Sequence, residues 1–276
     1  MLPKMITAVV TDLDGTIIRR DGSVSPATLR VARVLRTRGI PLIIATARTP
    51  PLWRLSELNA DVALAVCCNG GIGFEPATNR QLWRTDIDPA ALARLIQAIH
   101  DHLPRAGYGV RNGRPWTISD GFYAARGRWP GSDYRVGTRE ELAAVPATMM
   151  TVVHPELTPE ETRRILVEAG IGPDAVTMSI AGDELLDITP AHTDKGTGLA
   201  RAFERLGVDP RGVMAFGDAA NDLPMFEVAG HAVAMANGTE EARAAADAIA
   251  GSVDDDGFAG YLDQLGLLDV RRTSRL

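Results

Sequence analysis

Cysteine is scarce in this sequence, which has two cysteines among 276 residues, Cys67 and Cys68. Adjacent cysteines at the end of an apolar run cannot build a disulfide framework, and their spacing does not fit a redox motif. We therefore predict a buried, reduced pair and a reducing compartment. Long hydrophobic runs are also missing, because no stretch approaches the roughly 20 apolar residues of a membrane span. The apolar run at 5–10 is too short for a signal peptide, so we expect a cytoplasmic protein.

Positive charge is in deficit as well, since the formal net charge is −6. A surface without a basic field does not attract nucleic acid or an anionic membrane. We expect small-molecule partners, with no nucleic-acid or membrane partner. Internal repeats and low-complexity segments are absent too. What remains is an ordinary globular composition, 45% hydrophobic and 23% charged, in a chain long enough for two domains.

Short, uniformly apolar runs recur near both ends of the chain, as expected for strands covered on both faces. They lie at residues 6–10, 41–45, 62–66, 213–216 and 232–235. Ser25 can cap a helix after the first run, with Pro26 in its first turn and Gly39 at its end. Later helical patterns lie at 195–205, 223–229 and 240–248. This alternation predicts an α/β fold with a parallel, doubly wound Rossmann-like core.

The middle of the chain has a different pattern. Helical segments mix with less regular strands, at 89–102, 149–153, 159–169 and 175–180. We predict an inserted α+β domain here, with both of its ends joined to the core. The predicted domains are a core formed by 1–83 and 184–276 and an insertion formed by 84–183.

The strongest motif is Asp12-Leu13-Asp14-Gly15-Thr16, directly after the first predicted strand. Ligands of open α/β sheets bind beyond the carboxyl ends of the strands, so chemistry is expected at this point. Gly15 lets the chain turn sharply and approach a ligand. The two carboxylates repel each other unless a cation lies between them, and their oxygens suit Mg²⁺. Alone, such a pair is also typical of a turn after a strand.

A second acidic motif, Gly217-Asp218-Ala219-Ala220-Asn221-Asp222, follows the predicted strand at 213–216. Either Asp218 or Asp222 could complete a magnesium site with Asp12. The same motif also fits a helix cap, where Asn and Asp are favoured.

Two further residues stand where a phosphate can bind. Thr46 follows the apolar run at 41–45, and its hydroxyl and the amides of the next turn can hold phosphate oxygens. Lys195 lies near a helix start, which is unfavourable for the helix dipole and indicates an anionic ligand. Each also has an ordinary explanation, which for Lys195 is a solvated surface charge. Asn237-Gly238-Thr239 matches a glycosylation acceptor, but this has no meaning in the cytoplasm.

Taken in chain order, these four elements resemble the haloacid dehalogenase superfamily, and the match spans almost the whole chain. The insertion resembles the type C2 cap of that superfamily, and the Cof-type phosphatases are the most similar members. Asn69-Gly70-Gly71 also resembles the Asn-Gly turn of that subfamily. One departure is Ala47, where the family often has Gly after the Thr.

The resemblance implies a role for each matched position. Asp12 would attack the phosphorus of a substrate and become an aspartyl-phosphate, and Asp14 would act as general acid and then as base. Asp12, the backbone carbonyl of Asp14 and Asp218 would hold Mg²⁺, with Asp222 supporting these ligands.

The remaining roles concern the phosphoryl group and the substrate. The residues implied in binding the phosphoryl oxygens are Thr46, Ala47, Lys195 and Asn221. Asn69 and Arg48 would lie near the mouth of the site.

The implied function is a magnesium-dependent phosphatase for small phosphorylated metabolites, with sugar phosphates first. A phosphomutase or phosphotransferase of the same fold is the first alternative. Such an enzyme would bind a second phosphate of its substrate, and the candidate residues for this are Arg111, Arg114, Arg126 and Arg128. The alternative is that these arginines are solvated surface charges. A non-catalytic phospho-ligand-binding protein should have lost a catalytic carboxylate or the lysine, and this chain keeps them all. The sequence leaves open the substrate and the oligomeric state.

Overall fold

The computed structural model describes residues 5–51, 57–111, 116–126, 134–182 and 184–267. The chain divides into two compact units. Unit 1 consists of Met1–Leu82 and Lys195–Leu276, and unit 2 consists of Trp83–Asp194.

The elements are numbered in chain order. The first part of unit 1 contains β1 (Ala8–Thr11), α1 (Pro26–Thr37), β2 (Leu42–Ala45), β3 (Leu64–Cys67) and β4 (Ile72–Glu75), and β5 (Arg80–Arg84) leads into unit 2. Unit 2 continues with α2 (Pro89–His102), β6 (Gly107–Arg111), β7 (Trp116–Ile118), α3 (Gly121–Arg126), β8 (Tyr134–Val136), α4 (Arg139–Ala144), β9 (Met149–Val153), α5 (Pro159–Glu168), β10 (Val176–Ala181) and β11 (Leu185–Pro190). The chain then returns to unit 1 with α6 (Lys195–Leu206), β12 (Val213–Gly217), α7 (Leu223–Val228), β13 (His231–Met235), α8 (Glu240–Ala245), β14 (Ala248–Ala250) and α9 (Gly257–Gln264).

Unit 1 is built on an eight-stranded sheet in the order β14-β13-β12-β1-β2-β3-β4-β5. Its strands pair in parallel from β14 through β3, which confirms the predicted α/β class with its parallel core. The strand β4 runs antiparallel to β3. The reason is the short 3₁₀ turn Cys68–Gly70, because a parallel connection needs a crossover of a dozen residues or more.

The helix α1 begins and ends where the sequence signals lie. Ser25 caps α1 by accepting a hydrogen bond from the Thr28 amide at 3.1 Å, and Gly39 follows the helix with φ at 68°. The predicted helix at 240–248 is too long. It ends at Ala245, because Ala248 pairs with Val233 as the start of the edge strand β14.

Unit 2 has a six-stranded sheet in the order β10-β11-β9-β6-β7-β8. Alternate residues of its central strands, among them Val110, Met150 and Ile188, join α2 and α5 in one hydrophobic core. The unit extends to Asp194 instead of ending at the predicted residue 183. It does so because β11 pairs antiparallel with both β9 and β10 and therefore belongs to this sheet.

Two predictions from composition can be compared with the described residues. Cys67 and Cys68 are both free and buried, as predicted, and burial raises the pKa of the Cys67 thiol well above its ordinary value. Within the described part of the chain, no helix combines the length and apolar character needed to cross a membrane.

The order of strands brings three loops of unit 1 together. β1 lies between β12 and β2, and Thr11, its last residue, is in register with Phe216 on one side and Ile44 on the other. The residues that follow these parallel strands therefore leave the same edge of the sheet. They include Asp12, Thr46 and Asp218.

Candidate active site

Asp12 is the first residue beyond β1. Its amide donates a hydrogen bond to the Phe216 carbonyl at 2.9 Å, which continues the β1–β12 pairing. The chain then turns sharply, because the amides of Ile17 and Ile18 both bond back to the Leu13 carbonyl. This turn leaves Asp12 fixed and nearly buried, with 7% of the residue exposed.

Lys195 begins α6 and points inward, with only 1% of the residue exposed. Its Nζ donates to Asp12 Oδ1 and to Asp222 Oδ1, both at 2.6 Å. The alternative of a solvated surface lysine is therefore wrong. The helix start is held by close packing, because an added Cβ on Gly196 would lie 2.4 Å from the Pro224 carbonyl oxygen.

Asp222 organises the loop that follows β12. Its Oδ2 accepts hydrogen bonds from the amides of Asp218 at 2.8 Å and Ala219 at 3.0 Å. Since its other oxygen binds Lys195, one buried carboxylate links this loop to α6. Asp222 therefore caps backbone amides, as the helix-cap alternative predicts, and also belongs to the acidic cluster.

Asp218 lies against the first acidic loop. Its Oδ1 accepts a hydrogen bond from Thr16 Oγ1 at 2.9 Å. Gly15, with φ at 83°, is required here, because a Cβ on it would lie 2.3 Å from Asp218 Oδ2. Thr16 is part of the first motif, but its place in that motif did not predict this bond.

Burial and mutual interaction shift the pKa values of the charged groups in this cluster. Burial and the neighbouring Asp222 raise the pKa of Asp218 to about 7. Burial also raises the pKa of Asp12 well above its ordinary value, against the opposing effect of Lys195. For Lys195, burial acts to lower the pKa, but Asp12 and Asp222 raise it above the ordinary value, so the ammonium stays charged.

The same carboxylates fit a metal ion. Asp12, Asp218 and Asp222 each offer an oxygen, and the three oxygens lie within 4.8 Å of one another. Lys195 balances only one of these charges, so a cation would relieve the repulsion that, in addition to burial, raises the pKa values of Asp12 and Asp218. The donor set consists of hard carboxylate oxygens, which suit a divalent cation.

Asp14 stands apart from this cluster. Its side chain is 60% exposed and accepts two hydrogen bonds from Arg48, from Nε at 2.8 Å and from Nη2 at 2.6 Å. The carboxylate of Asp14 is therefore placed as an exposed group beside the buried cluster. A metal contact through its backbone carbonyl stays a prediction.

The loops after β2 and β3 are joined to each other. Thr46 is buried, its Oγ1 accepts from the Arg48 amide at 3.1 Å, and its carbonyl accepts from the Asn69 amide at 3.1 Å. Asn69 has φ at 46°, which fits the predicted Asn-Gly turn. Ala47 is half-buried next to Thr46, and Asn221 is half-buried in the turn that holds Asp222. Phosphate binding by these residues stays a prediction.

Of the arginines that could bind a second phosphate, Arg111 lies among the described residues. It is 4% exposed, its guanidinium lies 3.6 Å above the Trp116 ring, and Nη2 donates to Thr151 Oγ1 at 3.2 Å. Its interpretation as a solvated surface charge is therefore wrong. Arg114, Arg128 and the side chain of Arg126 lie outside the described residues.

Known proteins are similar to this chain in sequence and in fold. A phosphoglycolate phosphatase of Methanopyrus kandleri is 31% identical over 263 residues, which cover 95% of this chain and 97% of that protein. The pyridoxal phosphate phosphatase YbhA of Escherichia coli is 24% identical, with 94% of this chain and 98% of that protein covered. A solved subclass IIB sugar phosphatase has a TM-score of 0.80 at 20% identity, with 95% of this chain and 99% of that one covered, which shows a common fold.

A family model decides the assignment. The model of the haloacid dehalogenase-like hydrolases matches residues 9–262. This range includes both acidic loops, Lys195 and the whole of unit 2. The chain therefore belongs to the haloacid dehalogenase-like hydrolase family, and it is a phosphatase of that family.

Proposed function

We propose that this phosphatase hydrolyses small phosphorylated metabolites, sugar phosphates first, with Mg²⁺ and through an aspartyl-phosphate on Asp12. The observation that carries the proposal is the contact between Asp12 and Lys195, whose charged atoms lie 2.6 Å apart in a buried site. A carboxylate that attacks a phosphate meets an anion, so catalysis needs positive charge beside it. Lys195 supplies that charge at the attacking atom.

In the first step, an oxygen of Asp12 forms a bond to phosphorus while the bond from phosphorus to the leaving oxygen breaks. Asp14 gives its proton to that leaving oxygen. Its exposed side chain, two residues beyond Asp12, suits contact with a substrate, and Arg48 orients it. Asp12 is held in place by the backbone and by Lys195, which limits its motion before attack.

In the second step, a water attacks the phosphorus of the aspartyl-phosphate. Asp14, which has lost its proton in the first step, takes one from this water. The bond between Asp12 and phosphorus breaks, phosphate leaves and the Asp12 carboxylate is restored. One side chain thus serves both steps, and no change of conformation in the buried cluster is required.

The metal site would be formed by Asp12, Asp218 and the backbone carbonyl of Asp14, with Asp222 supporting these groups. Bound Mg²⁺ would offset the negative charge of the transferred phosphoryl group. The chain's own donors for the phosphoryl oxygens are the predicted set Thr46, Ala47, Lys195 and Asn221. Thr46 is held for this role by its bonds to Arg48 and Asn69.

Selection of the leaving group belongs, in this proposal, to unit 2. Relatives that align with more than nine-tenths of this chain are named for different substrates, phosphoglycolate in one and pyridoxal phosphate in another. The residues that bind the phosphoryl group lie in unit 1, so a change of substrate has to involve other residues.

The location of this protein in the cytoplasm stays a prediction.

The test is phosphate release from a panel of phosphorylated metabolites, with Mg²⁺ and with a chelator, for the wild type and Asp12→Asn. Release that needs Mg²⁺ and disappears in the variant supports the proposal and ranks the substrates. Loss of substrate that occurs only after an acceptor sugar is added, with the phosphoryl group then found on that sugar, points to a phosphotransferase. Near-normal release by Asp12→Asn contradicts the mechanism.

A further inference from the structure

We propose that the turn Asn237-Gly238-Thr239 fixes the distance between the two acidic loops of the site, with Asn237 as a positioning residue. The first acidic loop is residues 12–16 and the second is residues 218–222. This inference rests on the function proposed above. It gives a role to a segment whose sequence otherwise suggests only a glycosylation acceptor, and we call this segment the bridging turn.

The bridging turn holds the first acidic loop through a side chain. Asn237 Nδ2 donates a hydrogen bond to the Gly15 carbonyl at 2.8 Å. Gly15 directly follows Asp14, and its own amide donates to the Ile18 carbonyl at 3.0 Å. The bond from Asn237 therefore fixes the loop at the residue where the chain reverses, directly after Asp14.

The bridging turn holds the second acidic loop through its backbone. The Thr239 amide donates to the Asp218 carbonyl at 2.8 Å. Gly238 packs so closely that an added Cβ would lie 2.8 Å from the Asp218 carbonyl oxygen and 3.0 Å from its Cα. Three consecutive residues thus contact both loops that carry the carboxylates.

Further hydrogen bonds hold the bridging turn in position. The Gly238 amide donates to the Met235 carbonyl at 2.9 Å, and Arg243 Nη1 donates to the Gly238 carbonyl at 2.5 Å. Asn237 Oδ1 accepts from the Val253 amide at 2.8 Å, which orients its amide group so that Nδ2 faces Gly15. Asparagine suits this position because it offers a donor and an acceptor at once.

The bridge matters because the reaction divides its carboxylates between two loops that leave different strands. Among the described side chains, Thr16 joins the loops by a bond to Asp218, and Lys195 bonds to a carboxylate of each loop. The bridging turn adds a further connection, through the backbone carbonyls of Gly15 and Asp218. A displacement of about 1 Å at a reacting group can cost roughly 100-fold in rate. Loss of the bridge should therefore lower kcat and weaken Mg²⁺ binding, because both depend on the spacing of Asp12 and Asp218.

The experiment changes the two sides of the bridging turn one at a time and pairs each variant with a control. Asn237→Ala removes the bond to Gly15 together with the bond from Val253, and Ser25→Ala, its control, removes a helix cap elsewhere in unit 1. Gly238→Ala pushes the turn from Asp218, and Gly260→Ala, its control, adds a methyl group where no atom lies within 4 Å. For each protein we would measure kcat, KM, the Mg²⁺ concentration for half-maximal activity, and hydrogen exchange of peptides covering residues 12–20 without metal.

We expect both bridging-turn variants to lose roughly tenfold or more in kcat, to need more Mg²⁺ and to exchange faster over residues 12–20. KM should change little, because the turn does not bind the leaving group. A loss no larger than that of the matched control, or unchanged exchange over residues 12–20, overturns the inference. Failure of the wild type to release phosphate would refute the proposed function instead, and exchange would still test the bridge.

Discussion

Arg48 donates two parallel hydrogen bonds to Asp14, from Nε to Oδ2 at 2.8 Å and from Nη2 to Oδ1 at 2.6 Å. The pair joins the loop after β2 to the loop after β1. Such two-point pairs fix the plane of a carboxylate as well as its position. In the proposed mechanism this is the carboxylate that exchanges a proton with the leaving group and with water, so its orientation bears on both steps.

We predict that Arg48→Met lowers kcat by roughly tenfold or more while stability changes little. Both partners are partly exposed, at 31% and 60%, and such pairs contribute only about 0–1 kcal/mol to stability. An aryl phosphate, whose leaving oxygen needs less protonation, should be affected less than an alkyl phosphate. Arg33→Met, on the exposed side of α1, is the control. Equal losses on both substrates would contradict a role for Arg48 through Asp14.

A second prediction compares two glycines with the same backbone conformation. Gly15 and Gly22 have φ at 83° and 84°, but an added Cβ meets Asp218 only at Gly15 and meets open space at Gly22. Both Gly→Ala variants carry backbone strain of about 1–3 kcal/mol. We expect Mg²⁺ to raise the melting temperature of the wild type and of Gly22→Ala, but not that of Gly15→Ala. Thermal unfolding with and without Mg²⁺ measures the difference, and an equal response in the two variants would be evidence against a metal site at Asp218.

A third prediction concerns the buried charge of Lys195. Lys195→Met leaves Asp12 and Asp222 buried without their shared partner, and breaking a buried pair costs about 3–5 kcal/mol. Urea denaturation in chelator should show this loss. The matched control is Arg205→Met, which removes an exposed charge from the same helix and should stay within about 0.5 kcal/mol of the wild type. A Lys195→Met protein as stable as the control would contradict the described ion pairs.

A fourth prediction concerns pH. Burial lowers the pKa of His231 below its ordinary 6.5, where the ring lies 2.9 Å from the Tyr261 hydroxyl. The unfolded chain therefore binds a proton at this site more readily than the folded one, so stability falls as pH drops through the range below 6.5. The advantage of the wild type over His231→Gln should be smaller at about pH 5.5 than at about pH 7.5. An advantage that grows toward acid would contradict the direction of the shift.

Regular elements with strong local signals were predictable from the sequence. The apolar run at 213–216 became β12 (Val213–Gly217), and the helix predicted at 89–102 has those same limits. Local helix propensity gave a wrong prediction where pairing with a distant strand determined the secondary structure. The alanine-rich segment after Glu240 predicts a longer helix, but pairing with β13 takes Ala248 into a strand.

The candidate site was partly predictable for a physical reason. Residues that follow parallel strands leave the same edge of a sheet, so Asp12 and Asp218 were expected near each other. Side-chain contacts between separate segments do not follow from any periodicity. The pair Arg48–Asp14, the bond from Asn237 to Gly15 and the stacking of Arg111 on Trp116 depend on how separate segments fold against each other.

The central claim is that phosphate is transferred to Asp12, and chemical trapping tests it most directly. Asp14→Asn, mixed with an aryl phosphate and Mg²⁺ and then quenched in acid, should accumulate the intermediate, because an aryl leaving oxygen needs little protonation in the first step whereas the second step lacks its base. Borohydride reduction of an aspartyl-phosphate gives homoserine, which peptide mass spectrometry can locate. We predict homoserine at position 12 and aspartate at position 12 when substrate is omitted. Reduction at another residue, or at none while the wild type turns over, would contradict the account.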